Sequence, residues 1–212
     1  MKNIISFFLL VFFSIALTAC QSNSSDNSSE SIKASAMKGS MDRMMTEMHK
    51  VQMTGNIDVD FALMMKAHHQ GAVEMAEVLL QSGQDPQIKE MAEKISDAQR
   101  SEIKDLNKFI EKHQDHEKNY DPAKKDAGFA KSMDESMKVM MNMPEMDERT
   151  VASADHQFVH MMIPHHQSAV EMASAYIEYG KDPKLMSMAK KMIADQNTEI
   201  EEFKNWAELH NK

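Results

Sequence analysis

A gapless internal duplication constrains the fold of this chain more than any other feature. A shift of 97 positions aligns Asp58–His113 with Asp155–His210, and roughly two in five aligned residues are identical. Within it, Met64–Ala76 returns as Met161–Ala173, with the shared pattern Met-Met-x-x-His-His-Gln-x-Ala-Val-Glu-Met-Ala. A match this extensive predicts two copies of one folding unit.

Each copy predicts a pair of helices joined by a short turn. Asp58 and Asp155 stand where they would cap the first helix by accepting backbone N–H groups. Gly83 and Gly180 stand where a left-handed residue would end it. Apolar residues recur at helical spacing in the second helices, and no segment alternates as a strand does. Each second helix is predicted to begin at an Asp-Pro step, Asp85-Pro86 or Asp182-Pro183.

Methionines at helical spacing precede each copy. They are Met37, Met41, Met44, Met45 and Met48 in the first group, and Met133, Met137, Met140 and Met141 in the second. The polar stretch 114–127 is predicted to link the copies. We therefore predict an all-α domain over residues 37–212, with repeat 1 near 37–113 and repeat 2 near 128–212. Its two hairpins are predicted to pack as a four-helix bundle, each preceded by a Met-rich helix.

The N-terminus has the pattern of an export signal. Lys2 is followed by an apolar run from Ile4 to Leu17, which is too short for a comfortable membrane span, and then by Leu-Thr-Ala-Cys. This ending resembles a bacterial lipobox, so we expect removal of residues 1–19, lipidation of Cys20 and anchoring to a membrane of the cell envelope. An ordinary signal peptide with an incidental Cys20 is the alternative. The Ser/Asn-rich residues 20–36 are predicted to form a flexible tether.

Charge and cysteine content narrow the classes of partner. The chain carries a formal charge of −9, which argues against nucleic-acid binding and against a broad electrostatic attraction to anionic lipid. Its one cysteine is Cys20, so a lipidated chain has neither a free thiol nor a disulfide. Any soft-metal chemistry must then come from methionine and histidine.

Helical geometry sorts the repeated Met and His residues into rows. At 100° per residue, Met64, His68 and Met75 fall within about 40° of one another, and the equivalent residues do the same in the second copy. The adjacent His69 lies about 100° round and forms a second row with Met65. We predict metal ligands in both rows of both copies: Met64, Met65, His68, His69, Met75, Met161, Met162, His165, His166 and Met172.

Further residues are predicted to support these rows. Gly71 and Ser168 are small and are expected to leave room beside the imidazoles three positions earlier. His156 and His160, which only the second copy has, share one helix face and are additional candidate ligands. Weaker, exchangeable metal sites are predicted at Met41, Met44, Met45, Met48, Met137, Met140 and Met141. Hydrogen bonds to the histidines are predicted from Gln99, Glu102, Gln196 and Glu199, with a plain polar helix face as the alternative.

Thioether and imidazole donors together favour copper. Thioether sulfur suits Cu(I), and imidazole binds both Cu(I) and Cu(II), whereas zinc prefers Cys, His and carboxylate ligands over thioether and iron sites usually need carboxylates. The alternative is that the methionines simply fill the core, for which their flexibility suits them. Histidine is a poor default core residue, so the paired Met/His rows favour metal binding.

Several of these motifs resemble the bacterial domain-of-unknown-function family 305. They are Asp-x-x-Phe, Met-x-x-His-His, Ala-Val-Glu-Met-Ala, Gly-x-Asp-Pro and Gln-x-x-Glu-Ile, spread over about Asp58–His210. The resemblance implies a ferritin-like, all-α four-helix fold on exported envelope proteins, some of which are periplasmic copper-binding proteins. The family's His-His pair corresponds to His68-His69 and His165-His166 here.

Three functional hypotheses follow. The leading one is an envelope lipoprotein that binds copper, mainly Cu(I), for buffering, trafficking or resistance, with copper-handling proteins as partners. The second is a ferritin-like metal-dependent oxidase, although the chain contains no Glu-x-x-His motif of the kind such sites use. The third is a structural or oxidant-scavenging protein whose methionines are oxidised and repaired.

Overall fold

The described part of the chain is entirely helical. The computed structural model describes residues 26–143, 146 and 153–210, with side chains from residue 36 onward, and every regular element within these ranges is an α-helix. The helices are α1 (Asp26–Lys50), α2 (Ile57–Ser82), α3 (Pro86–Lys112), α4 (Gly128–Met141), α5 (Ala154–Tyr179) and α6 (Pro183–His210). The predicted all-α class is confirmed, and both Met-rich segments are helical.

The two predicted hairpins are present. Helix α2 packs against α3, and α5 packs against α6. The Met-rich helices α1 and α4 lie on α2 and α5 respectively, and α2 contacts α5 directly. The central helices α2 and α5 are therefore surrounded by protein, and closure of the hairpins into a ferritin-like four-helix bundle stays a prediction. None of the described helices is long and apolar enough to span a membrane.

The starts of the second helices agree with the sequence. Asp85 accepts hydrogen bonds from the backbone N–H groups of Gln87 and Ile88. Asp182 does the same at the start of α6. Proline occupies the first helical position in both, where its missing N–H costs no hydrogen bond.

The predicted caps of the first helices are wrong. Asn56 caps α2 by accepting from the N–H groups of Asp58 and Val59, and Ser153 accepts from that of His156 in α5. Asp58 and Asp155 each stand two positions further along the chain. Their side chains are therefore free to bind elsewhere.

Asp58 and Asp155 instead bind the turn of the opposite repeat. Asp58 Oδ1 accepts from the N–H groups of Lys181 and Asp182, at 2.8 and 3.1 Å, and from the Tyr176 hydroxyl at 2.5 Å. Asp155 accepts from the N–H groups of Gln84 and Asp85, at 3.0 and 3.2 Å. Each aspartate thus links the start of one central helix to the end of the other, so α2 and α5 run antiparallel.

The bonds of Asp58 and Asp155 to the opposite turns also explain why these turns contain glycine. The left-handed conformation predicted for Gly83 and Gly180 is wrong, because both are extended, with φ of −69° and −73°. A Cβ on Gly83 would lie 2.7 Å from Asp155 Oδ1, and a Cβ on Gly180 would overlap the Tyr176 ring. Glycine is needed here for close approach and not for backbone conformation.

Helix α1 starts earlier than the sequence suggested. Residues 26–36, predicted as tether, form its first turns. One side of α1 is buried through Met37, Met41, Met44 and Met48. Once these contacts hold a helix, each further residue added at its N-terminus costs little free energy, because propagation is easier than nucleation. The predicted signal segment 1–19 and the lipidation site Cys20 lie outside the described residues.

The linker between the copies is tied to the start of α2. The Asn119 and Tyr120 N–H groups donate to the Gly55 carbonyl, and the Tyr120 hydroxyl donates to Asp60 Oδ2 at 2.6 Å. Asp60, which is fully buried, also accepts from Thr54 and from the Gly55 N–H. These bonds bring Tyr120 and the residues after it toward α1, α2 and α4.

Replacing either crossing aspartate is expected to destabilise the fold. Asp58→Ala or Asp155→Ala leaves N–H groups of the opposite turn without their charged acceptor, and each should lower the free energy of unfolding by about 2 kcal/mol. Asp97→Ala, on the exposed face of α3, is the matched control and should change it little. Urea unfolding followed by circular dichroism measures all three, and a crossing variant no less stable than the control would contradict the assignment.

Candidate metal centre

The repeated histidines meet at the middle of the α2–α5 interface. The ring centroids of His68 and His165 are 3.8 Å apart with an interplanar angle of 37°, and both residues are fully buried. His165 Nε2 lies 3.2 Å from the His68 carbonyl oxygen, to which it donates. The two first rows, one on each repeat, therefore form one shared centre and not two separate ones.

The methionines of these rows flank the imidazole pair. Because α2 and α5 are antiparallel, Met64 and Met172 lie on one side of the pair along the interface, and Met75 and Met161 lie on the other. Each sits four or seven residues from its histidine, which is about 6 or 10 Å along the helix axis. All four are buried, with exposures of 4% or less. Helix geometry therefore places two buried methionines on each side of the buried imidazole pair along the interface.

Burial keeps both central imidazoles neutral. It lowers the pKa of His68 well below the ordinary value of 6.5, and the neighbouring histidines His165, His69 and His166 lower it further. Burial likewise lowers the pKa of His165, with a further contribution from His166. A neutral imidazole offers a lone pair, which is the form that binds a metal.

Much of the hydrogen-bonding capacity of these rings is unused. Within the described ranges, neither ring nitrogen of His68 has a hydrogen-bond partner, and neither does His165 Nδ1. Buried polar atoms are nearly always paired, because an unpaired one costs about 1–3 kcal/mol. Unpaired imidazole nitrogens on helix faces that also carry buried methionines fit the donor types of a soft-metal site.

The second histidine of each pair contacts a carboxylate. His69 Nε2 is hydrogen-bonded to Glu102 Oε2 at 2.7 Å. His166 Nε2 lies 2.8 Å from Glu199 Oε2, at ion-pair distance but off the direction of a hydrogen bond. The predicted Glu–His contacts are therefore present, but they orient His69 and His166 and do not reach the central imidazoles.

The remaining members of the second rows are buried nearby. Met65 and Met162 share helix rows with His69 and His166 respectively, and both methionines are fully buried. Gln99 and Gln196, one turn before the glutamates, are 3% exposed, and in the described part of the chain their Oε1 atoms lack a partner. Their supporting role stays a prediction.

His156 and His160 do not join the central pair. His156 packs edge-on against Trp206, with centroids 4.8 Å apart, and precedes His165 by nine residues, about 13 Å along α5. His160 is half-buried and lies about 140° round the helix from His165. Proximity in sequence made both candidates, but helix rotation and rise separate them from the centre.

The Met-rich helices pack closely on the centre. The space expected beside His68 at Gly71 is filled, because a Cβ there would overlap the Met44 side chain. The other small residue, Ser168, is fully buried. Of the predicted auxiliary methionines, Met41, Met44, Met48 and Met140 are buried, Met45 and Met137 are half-buried, and Met141 is 56% exposed.

A second register of the duplication was missed in the sequence analysis. A shift of 96 positions, one fewer than in the main repeat, aligns Met37 with Met133, Ser40 with Ser136, Met41 with Met137, Met44 with Met140 and Met45 with Met141. Ser40 and Ser136 are both fully buried, as equivalent positions should be. This register, visible in the sequence, identifies Met133 as a counterpart of Met37.

Carboxylates do not gather around a common point in the described ranges. No group of three His, Cys, Asp or Glu side chains there is arranged to hold a metal ion. The donors that the fold does bring together are imidazoles and thioethers.

Comparison with known proteins agrees with this arrangement. A family model described as a domain of unknown function, DUF305, matches residues 58–207, more than half of the chain. The chain belongs to the DUF305 family. The matched region starts at the crossing aspartate Asp58 and includes both His-His pairs, whereas α1 precedes it. No curated protein sequence matches the chain.

Solved DUF305-like structures resemble the fold. CopM in its Cu(I)-bound form is 29% identical, with a TM-score of 0.54 over 74% of this chain and 97% of CopM. CopM in its Cu(II)-bound form is 27% identical, with a TM-score of 0.54 over 72% of this chain and 98% of CopM. A putative secreted DUF305 protein from Streptomyces coelicolor is 21% identical, with a TM-score of 0.53 over 71% of this chain and 91% of its own, and supports the fold alone.

The buried imidazoles should make the metal-free protein acid-sensitive. Below pH 6.5 the unfolded chain protonates His68 and His165 while the folded chain does not, so stability is full above that pH and falls as pH drops. The slope should be about 1.4 kcal/mol per pH unit for each imidazole. Urea unfolding between about pH 7.5 and 5.5 measures it.

Two double variants separate the contribution of the central imidazoles to the pH dependence of stability from that of other histidines. His68→Leu with His165→Leu should flatten the pH dependence, because leucine does not titrate. His113→Leu with His116→Leu, two half-buried histidines near the linker, should retain the slope of the parent. An unchanged slope in the buried pair variant would show that these imidazoles do not carry the acid sensitivity.

Proposed function

We propose that this protein binds copper, mainly as Cu(I), at the His68/His165 centre. The observation that carries the proposal is a buried imidazole pair with unpaired ring nitrogens, on helix faces that also carry four buried methionines. The similarity to CopM, which has been solved with Cu(I), Cu(II) and Ag bound, supports the same metal class.

Charge favours the monovalent ion. The central donors are neutral, and the nearest carboxylates, Glu102 and Glu199, are already paired with His69 and His166. A divalent ion placed among neutral donors in a buried site would keep most of its desolvation cost, whereas a monovalent soft ion loses less hydration and gains thioether bonds. The site therefore suits Cu(I) better than Cu(II).

Ring orientation suggests how the donors are used. Imidazole lone pairs lie in the ring plane; the His68 and His165 rings are tilted by 37°, and His165 Nε2 is used by its bond to the His68 carbonyl, so Nδ1 is the nitrogen that His165 has left for a metal. We propose that each imidazole directs a nitrogen toward the thioethers beside it, giving mixed N and S ligation. Met64, Met75, Met161 and Met172 are the proposed sulfur donors.

The cellular role follows from export. The sequence pattern that ends at Cys20 supports a lipid-anchored protein of the bacterial envelope. Copper bound outside the cytoplasm by thioether and imidazole requires no thiol that oxidants would inactivate. We propose buffering, trafficking or resistance as the purpose, with copper-handling proteins as donors or acceptors.

Anaerobic Cu(I) titration against a competing chelator tests the proposed centre. His68→Ala with His165→Ala should weaken Cu(I) binding by at least about tenfold, because both nitrogen donors are removed. His113→Ala with His116→Ala is the matched control and should bind like the parent protein. Equal affinity in the two variants would refute ligation by the central pair.

Sulfur ligation has its own test. Met64→Leu with Met172→Leu keeps the volume and apolarity of the side chains but removes two thioethers. X-ray absorption at the copper edge should show fewer sulfur neighbours than in the parent, whereas Met188→Leu should not change the spectrum. A purely nitrogen-ligated spectrum in the parent would contradict the proposed sulfur donors.

Anchoring is tested separately from metal binding. Cys20→Ala should move the protein from the membrane fraction to the soluble fraction of the cell envelope, because it removes the only thiol available for lipidation. Cell fractionation with immunodetection measures the distribution, and Ser24→Ala is the control. A Cys20→Ala chain that stays membrane-bound in the same proportion would contradict the lipid anchor.

A further inference from the structure

A cavity lined by methionines includes Met64, one helical turn from His68. It occupies about 140 Å³ between the end of α1, the first half of α2, the linker and α4. Its thioethers come from all these helices and from the loop after α1: Met48, Met53, Met64, Met133 and Met137. Methionine used only as filler adapts its shape to close such gaps, so an open space among five of them is unexpected for a simple core.

An exposed histidine stands at the edge of this cavity. His49 is solvent-exposed, and its Nδ1 lies 2.6 Å from the Met45 carbonyl oxygen. A carbonyl only accepts, so Nδ1 carries the proton and the Nε2 lone pair remains available. The cavity thus has an imidazole donor on its solvent side.

The charged and hydroxyl groups of the lining are already engaged. The Tyr120 hydroxyl donates to Asp60, and Asp134 is paired with Lys125 and Lys138. Those two lysines hold the pKa of the Asp134 carboxyl below its ordinary value, so it stays ionised within the pair. The donors left free are neutral thioethers and one imidazole, which favour a soft monovalent cation over a hard divalent one.

Met64 belongs to both sites. Its side chain lines the cavity, and it precedes His68 by four residues, one helical turn along the same face of α2. An ion held by Met64 on the cavity side is therefore about one helical turn from the central imidazole. Chains of thioether ligands permit such transfer because each sulfur binds weakly and exchanges readily.

We propose that this Met cavity is the port through which a soft monovalent cation, Cu(I) or Ag(I), reaches the His68/His165 centre. His49 and the cavity thioethers capture the ion, and Met64 passes it to His68. The port rests on the proposed copper site, since it supplies that site.

The test follows Ag(I), which has the same charge and ligand preference as Cu(I) but no accessible redox change under these conditions. The full-length protein is labelled at the methionine methyl groups, and Ag(I) is added as a complex with free methionine. NMR then follows Met53 in the cavity and Met75 at the centre. The port variant is Met53→Leu with Met137→Leu, and the control is Met186→Leu with Met188→Leu, which removes two thioethers outside the cavity.

The port variant is expected to slow the arrival of Ag(I) at the centre without reducing the amount finally bound there. In the port variant the Met75 signal should respond about tenfold more slowly than in the parent, since fewer thioethers stabilise the ion during passage. Its final response should be the same, and the control should match the parent. An equally fast response at Met75 in the port variant and the control would overturn the port.

A second background separates failure of the port from failure of the centre. In His68→Ala with His165→Ala, Ag(I) should still shift the Met53 signal, because the cavity is intact. A Met53 signal that stays unchanged in this background would overturn ion capture by the cavity. A Met75 signal that never responds in the parent would instead refute the central copper site.

Discussion

The crossed aspartate bonds between the repeats are the interaction on which the rest of the structure depends. Asp58 and Asp155 each hold the turn of the other hairpin, and these bonds fix both the direction and the register of α2 against α5. Only in an antiparallel arrangement with this register do His68 and His165 face each other. A slip of α2 along α5 by one turn would move the imidazoles about 5 Å apart and break up the shared centre.

Duplication gives this centre its composition. Two copies of one Met/His row, packed antiparallel, bring two imidazoles together on helix faces that carry four buried methionines, which one copy alone does not provide. Burial then determines the chemistry, because it keeps the imidazoles neutral and leaves ring nitrogens without partners. The second histidine of each pair faces the outer helix, where a glutamate fixes it. The two neighbours in each His-His pair therefore have different surroundings, although the sequence repeats them identically.

Methionine serves this fold in two capacities. As a flexible apolar residue it packs α1 and α4 onto the central helices, for example where Met44 lies over Gly71. As a proposed sulfur donor it lies on the helix faces of the central imidazoles and lines the cavity that includes Met64. CopM, a structural neighbour, has been solved with Cu(I) and with Cu(II) bound, which agrees with the copper site proposed for these sulfurs. The neighbours of a methionine separate the two capacities. A proposed sulfur donor lies near an imidazole or lines the cavity, whereas a packing methionine contacts other apolar side chains.

The sequence by itself determined the features that depend on a few neighbouring residues. Helical periodicity gave the helices, Asp-Pro steps gave the starts of α3 and α6, and 100° rotation per residue separated His68 from His69. The tertiary structure alone decided how residues 97 positions apart meet. Asp58 binds the turn of the opposite repeat and does not cap its own helix, and Gly83 is extended. The two Met/His rows meet in one centre, and a cavity lies next to Met64. Local rules cannot supply these, because a capping aspartate and a crossing aspartate occupy nearly the same place in sequence. Which one forms is decided by the summed contacts of two whole hairpins.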